Sequence, residues 1–275
     1  MSGKLYVVGT PIGNLGDFSE RAKEVLSQVD FIAAEDTRVT VKLLNHFDIK
    51  NELVSYYEHN KKEKGEIIIN RILSGENAAI VTDAGMPAIS DPGEDLVRLA
   101  HERGVPVESV PGPCAFVTAL AIAGMSTGRF CFEGFLSVNK QSRRGHLAEL
   151  KNEYRTMVFY EAPHKLKATL KDFSDTFGAD REIALVKEIT KLHEKVFKTT
   201  LGEAVSFYEE NPPKGEFVLI VAGSQRRADN CEFSLDDAVA QAKELMEKGL
   251  SASAAAKEAS SVTGIRKNEI YRQLI

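Results

Sequence analysis

Short apolar runs alternate along most of the chain with longer segments whose apolar positions recur every three or four residues, a pattern that predicts strand–helix units. Runs at residues 4–9, 31–34, 53–57, 78–81 and 105–110 read as strands. The unbroken run Ala78-Ala79-Ile80-Val81 has the composition of a strand covered on both faces. Between the strands, Phe18, Ala22, Val25, Leu26 and Val29 fall at helical spacing behind a capping box of Asp17 and Glu20. Val41, Leu43, Leu44 and Phe47 define a second helix, and Ile67, Ile68, Ile72 and Leu73 a third. Residues 96–103 make a fourth helix, closed by Gly104, and residues 116–123 a buried fifth.

After a Ser-Thr-Gly break within residues 125–129 the pattern restarts. Strands are predicted at 129–135, 156–160, 183–190, 196–199 and 217–222, with helices at 140–150 and 165–177; the strands at 183–190 and 196–199 read as antiparallel neighbours. From Ser234 onward only helical patterns remain, at 236–248, 251–262 and 266–274, either a packing appendage or a helix-turn-helix-like module. The expected fold class is α/β: two α/β domains over residues 1–124 and 125–228, and a small helical extension over 229–275.

Candidate chemistry gathers where predicted strands end. Gly9-Thr10-Pro11-Ile12-Gly13-Asn14-Leu15-Gly16, Glu35-Asp36-Thr37-Arg38, residues 83–90 and Pro111-Gly112-Pro113-Cys114-Ala115 all follow strands and precede helices. Open α/β sheets bind ligands at such carboxyl-end loops, because backbone N–H groups and helix starts converge there. Asp91, Pro92 and Glu94 supply cap, first-turn proline and capping-box acid to the helix after the longest loop. Gly9, Gly13 and Gly16 do not have dinucleotide-fingerprint spacing, and no Gly-Lys-Ser/Thr ending marks a phosphate loop. Glu161 and His164, after another strand, serve either as acid and base or as a surface cap with Pro163. Cys114, at a helix start, is either a thiol of lowered pKa or a small buried side chain.

Bulk properties narrow the partners. A content of 43% hydrophobic and 27% charged residues is that of a globular protein, and a formal net charge of -5 argues against blanket attraction to a polyanion. Contact with nucleic acid therefore needs a local basic patch, for which Lys140, Arg143, Arg144 and His146 are the densest candidates. Lys61, Lys62 and Lys64 fit a solvated helix face better. The odd, scattered set Cys114, Cys131 and Cys231 provides neither a disulfide framework nor zinc-ligand spacing, so no metal site and a cytoplasmic location are expected. No run approaches the ~20 apolar residues of a membrane helix, and no membrane partner is expected.

Taken together, Gly-Thr-Pro-Ile-Gly-Asn (9–14), Glu-Asp-Thr-Arg (35–38), Glu-His-Asn (58–60), Thr-Asp-Ala-Gly-Met-Pro-Ala-Ile-Ser-Asp-Pro-Gly (82–93), Pro-Gly-Pro-Cys-Ala (111–115), Phe-Tyr-Glu-Ala-Pro-His (159–164), Lys-Glu-Ile-Thr-Lys-Leu-His-Glu (187–194) and Gly-Glu-Phe (215–217) resemble the tetrapyrrole methylase superfamily, in particular its branch acting on ribosomal RNA. The resemblance implies two domains of tetrapyrrole-methylase type with S-adenosyl-L-methionine in the inter-domain cleft, and a homodimer. It also implies methyl transfer to the ribose 2′-oxygen of a cytidine in the decoding region of 16S rRNA, free or in the small ribosomal subunit. By motif, the cofactor contacts are Pro11, Asp83 or Gly85, Met86, Ile89, Cys114, Ala115, Tyr160, Ile189 and Phe217. Where the wider superfamily reads Gly-Asp-Pro, this chain has Gly85-Met86-Pro87.

Such a transfer requires collinear oxygen, carbon and sulfur and gains from a general base. Candidates are Glu35, Asp36, Glu58, His59 and Glu161; Asp36 is the first choice, with Arg38 on the adjoining phosphate and Lys140, Arg143 and Arg144 holding RNA farther out. Competing readings on the same fold are methylation of a tetrapyrrole or a modified protein side chain, and a non-catalytic RNA-binding ribosome assembly factor.

Overall fold

The computed structural model describes residues 2–224 and 234–275. Cys231 and the predicted boundary between residues 228 and 229 lie outside the described residues. The chain divides into two compact units, Met1–Ala222 and Gly223–Ile275; the first holds the predicted half 1–124 and residues 125–222 of the predicted half 125–228.

The first sheet contains β1 (Leu5–Val8), β2 (Phe31–Ala34), β3 (Glu52–Ser55), β4 (Ala78–Val81) and β5 (Val107–Val110), all parallel, in the order β3-β2-β4-β1-β5. Helices α1 (Glu20–Gln28), α2 (Thr37–His46), α3 (Lys61–Leu73) and α4 (Gly93–Glu102) cover its two faces. Leu5, Val7, Phe31, Ala33, Ala78 and Ile80 pack with α3 and α4 through Ile68, Ile69, Ile72, Leu96 and Ala100. Val8, Ile32, Ala34, Ala79 and Val81 pack on the opposite face with Ala22 and Leu26 of α1 and Leu44 of α2. Burial on both faces is why these strands read as continuous apolar runs rather than alternating ones.

The second sheet orders β6 (Phe130–Phe135), β7 (Thr156–Glu161), β8 (Glu182–Lys187), β9 (Lys195–Thr200) and β10 (Phe217–Val221) as β6-β7-β10-β8-β9. β6 and β7 are parallel, whereas β10 is antiparallel to β7 and β8, and β8 to β9. Met157, Phe159, Ile183, Leu185, Leu219 and Val221 face α6 (Lys140–Glu149), α7 (Leu166–Phe177) and α8 (Leu201–Glu210). Their chain neighbours Val158, Ala184, Val186, Val218 and Ile220 face Ala119 and Leu120 of α5 (Ala115–Ile122). Helix α5 leaves the first sheet after β5 and covers the second, so one element joins the two layers.

Several local expectations are corrected. The first helix is capped by Ser19, whose hydroxyl accepts from Ala22 N, while Asp17 sits in a short 3₁₀ turn capped by Asn14. Helix α8 has no counterpart among the helices expected from periodicity; its signal is the Thr200–Glu203 capping box. The strand expected over 183–190 stops at Lys187, because Glu188 and Thr190 adopt positive φ of 53° and 65° and cannot continue a ladder.

The second unit contains α9 (Leu235–Glu247), α10 (Ala252–Thr263) and α11 (Lys267–Leu274) around a core of Ala238, Val239, Ala242, Ala255, Ala256, Ala259 and Ile270. Alanine at most of these positions lets the helices approach closely.

At the carboxyl ends of β1 and β5 the backbones of Gly9 and Gly112 nearly touch. A Cβ on Gly112 would lie 2.8 Å from Gly9 C and Cα, where only main chain is available to move. Gly112→Ala is expected to lose about 1–3 kcal/mol, the usual cost of overpacking, measured by urea unfolding.

Candidate active site

The strand order places the ends of β4, β1 and β5 side by side. In the second sheet, antiparallel pairing sets Phe217 at the start of β10 opposite Glu161 at the end of β7 and Lys187 at the end of β8. These ends enclose a cavity of about 540 Å³, within the range of about 300–1,000 Å³ that small-molecule sites occupy.

The first sheet's wall is the loop after β4, held by paired hydrogen bonds between Thr10 and Gly85: Thr10 N donates to Gly85 O at 2.9 Å and Gly85 N to Thr10 O at 3.1 Å. Asp91 Oδ1 accepts from Ala88 N at 3.0 Å and Gly93 N at 2.7 Å, closing the loop onto α4. Ala88 and Ser90 are thereby held at φ 67° and 64°. Non-glycine residues in this region cost on the order of 1–3 kcal/mol each and concentrate at functional sites.

The second sheet's wall includes an equally strained loop. Glu188 N donates to Glu216 O, Glu216 N returns a bond to Glu188 Oε1, and Lys191 Nζ bridges the two carboxylates at 3.2 and 2.8 Å. Beside Ile189, the Thr190 hydroxyl oxygen is buried with no hydrogen-bond partner, an orphan group adjoining the cavity wall. Across the cleft, the Tyr160 hydroxyl oxygen accepts from Phe116 N at 3.2 Å, tying β7 to the start of α5; burial pushes the phenol up to about 12.

The cavity has a definite electrostatic character. Glu35, Asp83, Asp91, Glu161 and Glu216 line it, and no Lys, Arg or His does among the described residues. Thr82 Oγ1 donates to Glu35 Oε2 at 2.6 Å, and Asp36 N donates to Asp83 Oδ1 at 3.1 Å. Burial, and then the neighbouring Glu35 charge, raise the Asp83 carboxyl above its ordinary range; burial raises Asp91 likewise. A cation is the ligand charge this wall complements, and Ile12, Met86, Ile189 and Val218 add apolar surface.

Of the residues expected from the sequence, Asp83, Gly85, Met86, Ile89, Cys114, Ala115, Tyr160, Ile189, Phe217 and Glu161 line this cavity. Pro11 does not; its neighbour Ile12 does, and Pro11 lines a second cavity. Asp36 and Arg38 are also outside it. Asp36 caps α2 through Arg38 N at 2.8 Å and pairs with the Arg38 guanidinium at 2.6 Å, which holds its carboxyl down at about 2. So acidic a carboxylate is a poor proton acceptor at neutral pH. The Glu161 carboxylate accepts from Ala162 N and the Thr169 hydroxyl, so its reach into the cavity is limited.

Two further readings change. Arg143 pairs with Asp172 of α7 at 2.7 Å, both side chains being mostly buried, so it fastens α6 to α7 rather than facing a partner; Lys140 and Arg144 are exposed. Burial raises the pKa of the Cys114 thiol, in line with a small buried side chain rather than a thiol of lowered pKa. Among the described residues no group of three or more His, Cys, Asp or Glu is placed to hold a metal ion. The cavity-lining Thr82 and Ser90 were missed as individual residues, being short polar side chains in a loop.

Two sheets meeting strand-end to strand-end over one acid-lined cavity define an α/β protein built to hold a cationic small molecule between two layers. The chain belongs to the tetrapyrrole (corrin/porphyrin) methylase family, whose model matches residues 4–205. It is 43% identical over 270 residues to ribosomal RNA small subunit methyltransferase I of Synechocystis sp., covering 98% of this chain and 96% of that one. Identity to the protein of the same name from Halalkalibacterium halodurans is 44% over 271 residues, covering 98% and 93%. The crystal structure of uroporphyrin-III C-methyltransferase from Thermus thermophilus complexed with S-adenosylhomocysteine matches in fold, with a TM-score of 0.57 at 17% identity over 80% of this chain and 97% of that one.

Asp91→Ala removes the acceptor for two backbone donors and is expected to cost about 0.5–2 kcal/mol in urea unfolding. Because the folded-state pKa of Asp91 is raised, its contribution is largest below the ordinary carboxylate pKa of about 3.9 and declines as pH rises through the folded value. The stability gap between wild type and Asp91→Ala should therefore narrow from acid toward neutral pH.

Proposed function

We propose that this chain is an S-adenosyl-L-methionine-dependent methyltransferase that modifies the ribose 2′-oxygen of a cytidine in 16S rRNA. The observation that carries the reading is full-length identity above 40% to proteins named ribosomal RNA small subunit methyltransferase I, joined to a cavity whose charge suits a sulfonium cofactor.

The residues present fit that cofactor. Asp83 and Asp91 complement positive charge, and Ile12, Met86, Ile189 and Phe217 offer apolar walls to an adenosine. When bound, the cofactor supplies an electrophilic methyl on a sulfonium sulfur. The chain's own contribution is to fix that methyl against the acceptor, exclude water, and take the hydroxyl proton. Asp83 is the carboxylate best placed to take that proton. It lines the cavity, forms no ion pair among the described residues, and is a stronger base than Asp36 because its pKa is raised.

The same reading includes a homodimer, a cytoplasmic location and RNA contact through Lys140 and Arg144. Val117 and Ile122 on α5 and Phe130 on β6 are exposed, and Phe116 joins them at 6.4 Å from the Phe130 ring. β6 is also an edge strand with an unpaired side, a surface that a second copy would cover. No helix among the described residues is long and apolar enough to cross a membrane.

The direct test incubates the protein with labelled S-adenosyl-L-methionine and small subunits from cells lacking it, then maps the label. A cytidine ribose 2′-O-methyl is expected; label on a base atom, or none, overturns the proposal. In the same assay Asp83→Asn should lower kcat by about 10²–10⁴-fold, as loss of a general base does. The acid limb of the wild-type rate profile should lie above pH ~4 and vanish in that variant, since the raised carboxyl must ionise before it accepts a proton. Lys140→Glu with Arg144→Glu should raise KM for the subunit and flatten its salt dependence, leaving cofactor affinity unchanged.

A further inference from the structure

A second cavity, of about 350 Å³, opens between the loop after β1 and helix α2. Its walls are unlike those of the first. Leu15, Val39 and Leu43 give it an apolar side, and Lys42 and His46 a basic one. The arrangement follows from helical spacing: Val39 and Leu43 stand four residues apart on α2, as do Lys42 and His46, so two stripes run along the helix next to each other. Leu15 and Val39, 43% and 39% exposed, stand with Leu43 on one contiguous apolar side of this cavity. Among the described residues Lys42 forms no ion pair, and His46 makes only an edge contact with the Phe47 ring.

Thr82 and Asp83 are common to both cavities. One pocket therefore suits a cation and its neighbour an anion with an apolar body, and the wall between them carries a carboxylate. We propose that the second cavity receives the acceptor nucleotide of the RNA, its base against Leu15, Val39 and Leu43, its phosphate at Lys42 and His46, and its ribose toward Asp83. The charge of the cavity decides the occupant: a nucleotide joins a flat apolar ring to a phosphate, and this is the combination the two stripes of α2 present. Pro11, which the family resemblance implies as a cofactor contact, lies outside the acid-lined cavity and borders this one. The proposal rests on the methyltransferase reading above and adds where on the protein the acceptor lies.

The test compares wild type with Lys42→Met and Val39→Asp, using the full chain, small ribosomal subunits and labelled S-adenosyl-L-methionine. Loss of a phosphate contact is expected to raise KM for the subunit about tenfold in Lys42→Met and to reduce the salt slope by about 1. Val39→Asp should weaken subunit binding further, while both variants keep wild-type cofactor affinity by calorimetry. Ultraviolet cross-linking of wild type to the subunit should label the peptide spanning residues 37–46. Wild-type KM and salt slope in both variants, or cross-links confined to other peptides while the wild type is active, overturn the placement alone. A wild type that binds cofactor but transfers nothing to RNA removes the methyltransferase reading and this placement with it.

Discussion

The seating of α5 on the second sheet is the contact from which the rest of the site follows. The helix is separated from the end of β5 only by Pro111 to Cys114, and it buries Ala119 and Leu120, with Ala123 just beyond its end, among Val158, Ala184, Val186, Val218 and Ile220. Ile12 and Ile189, from the loops that wall the cavity on either side, belong to the same cluster. Burial of apolar area is worth about 25 cal/mol per Å², so a cluster of this size fixes the two sheets against each other more firmly than any polar contact across the cleft. Tyr160 reinforces the joint from the polar side by accepting the Phe116 N–H.

With the layers fixed, the loops can carry local strain. Ala88, Ser90, Glu188 and Thr190 all take positive φ, two in the loop after β4 and two in the loop after β8, and side-chain hydrogen bonds flank them. A chain under selection for stability alone would place glycine or asparagine at such positions. Their concentration in two loops that contribute to one cavity, together with several carboxylates in its wall, marks the place where local preference has yielded to a function.

Much of this is legible in the sequence, for reasons that differ by element. The first sheet is parallel and doubly covered, so its strands announce themselves as apolar runs ending in small-residue loops, and the carboxyl-end rule then points to the loops that line the cavity. All of the residues that the motifs single out as cofactor contacts except Pro11 line that cavity. The strand order is not legible, because it depends on which edges meet rather than on any single stretch. Errors at the site come from adjacent residues that face different ways. Glu35 reaches Thr82 in the cavity while Asp36 turns back to cap α2. Arg143 and Arg144 are about 100° apart around α6, so one is pinned to Asp172 and the other meets solvent. A run of like residues in a sequence carries no record of that rotation.

Asp36 joins several parts of the site through hydrogen bonds. Its main-chain N–H holds Asp83, its carboxylate accepts from the main chain and side chain of Arg38, and its main-chain oxygen accepts from the Thr40 hydroxyl. One residue thus sets the start of α2 and the position of the carboxylate in the wall between the two cavities. The 3.1 Å bond to Asp83 ties the start of the helix that lines the basic cavity to the side chain that faces the acidic one. The Arg38 guanidinium holds the Asp36 carboxyl low, whereas burial raises that of Asp83, so two neighbouring carboxylates differ in basicity.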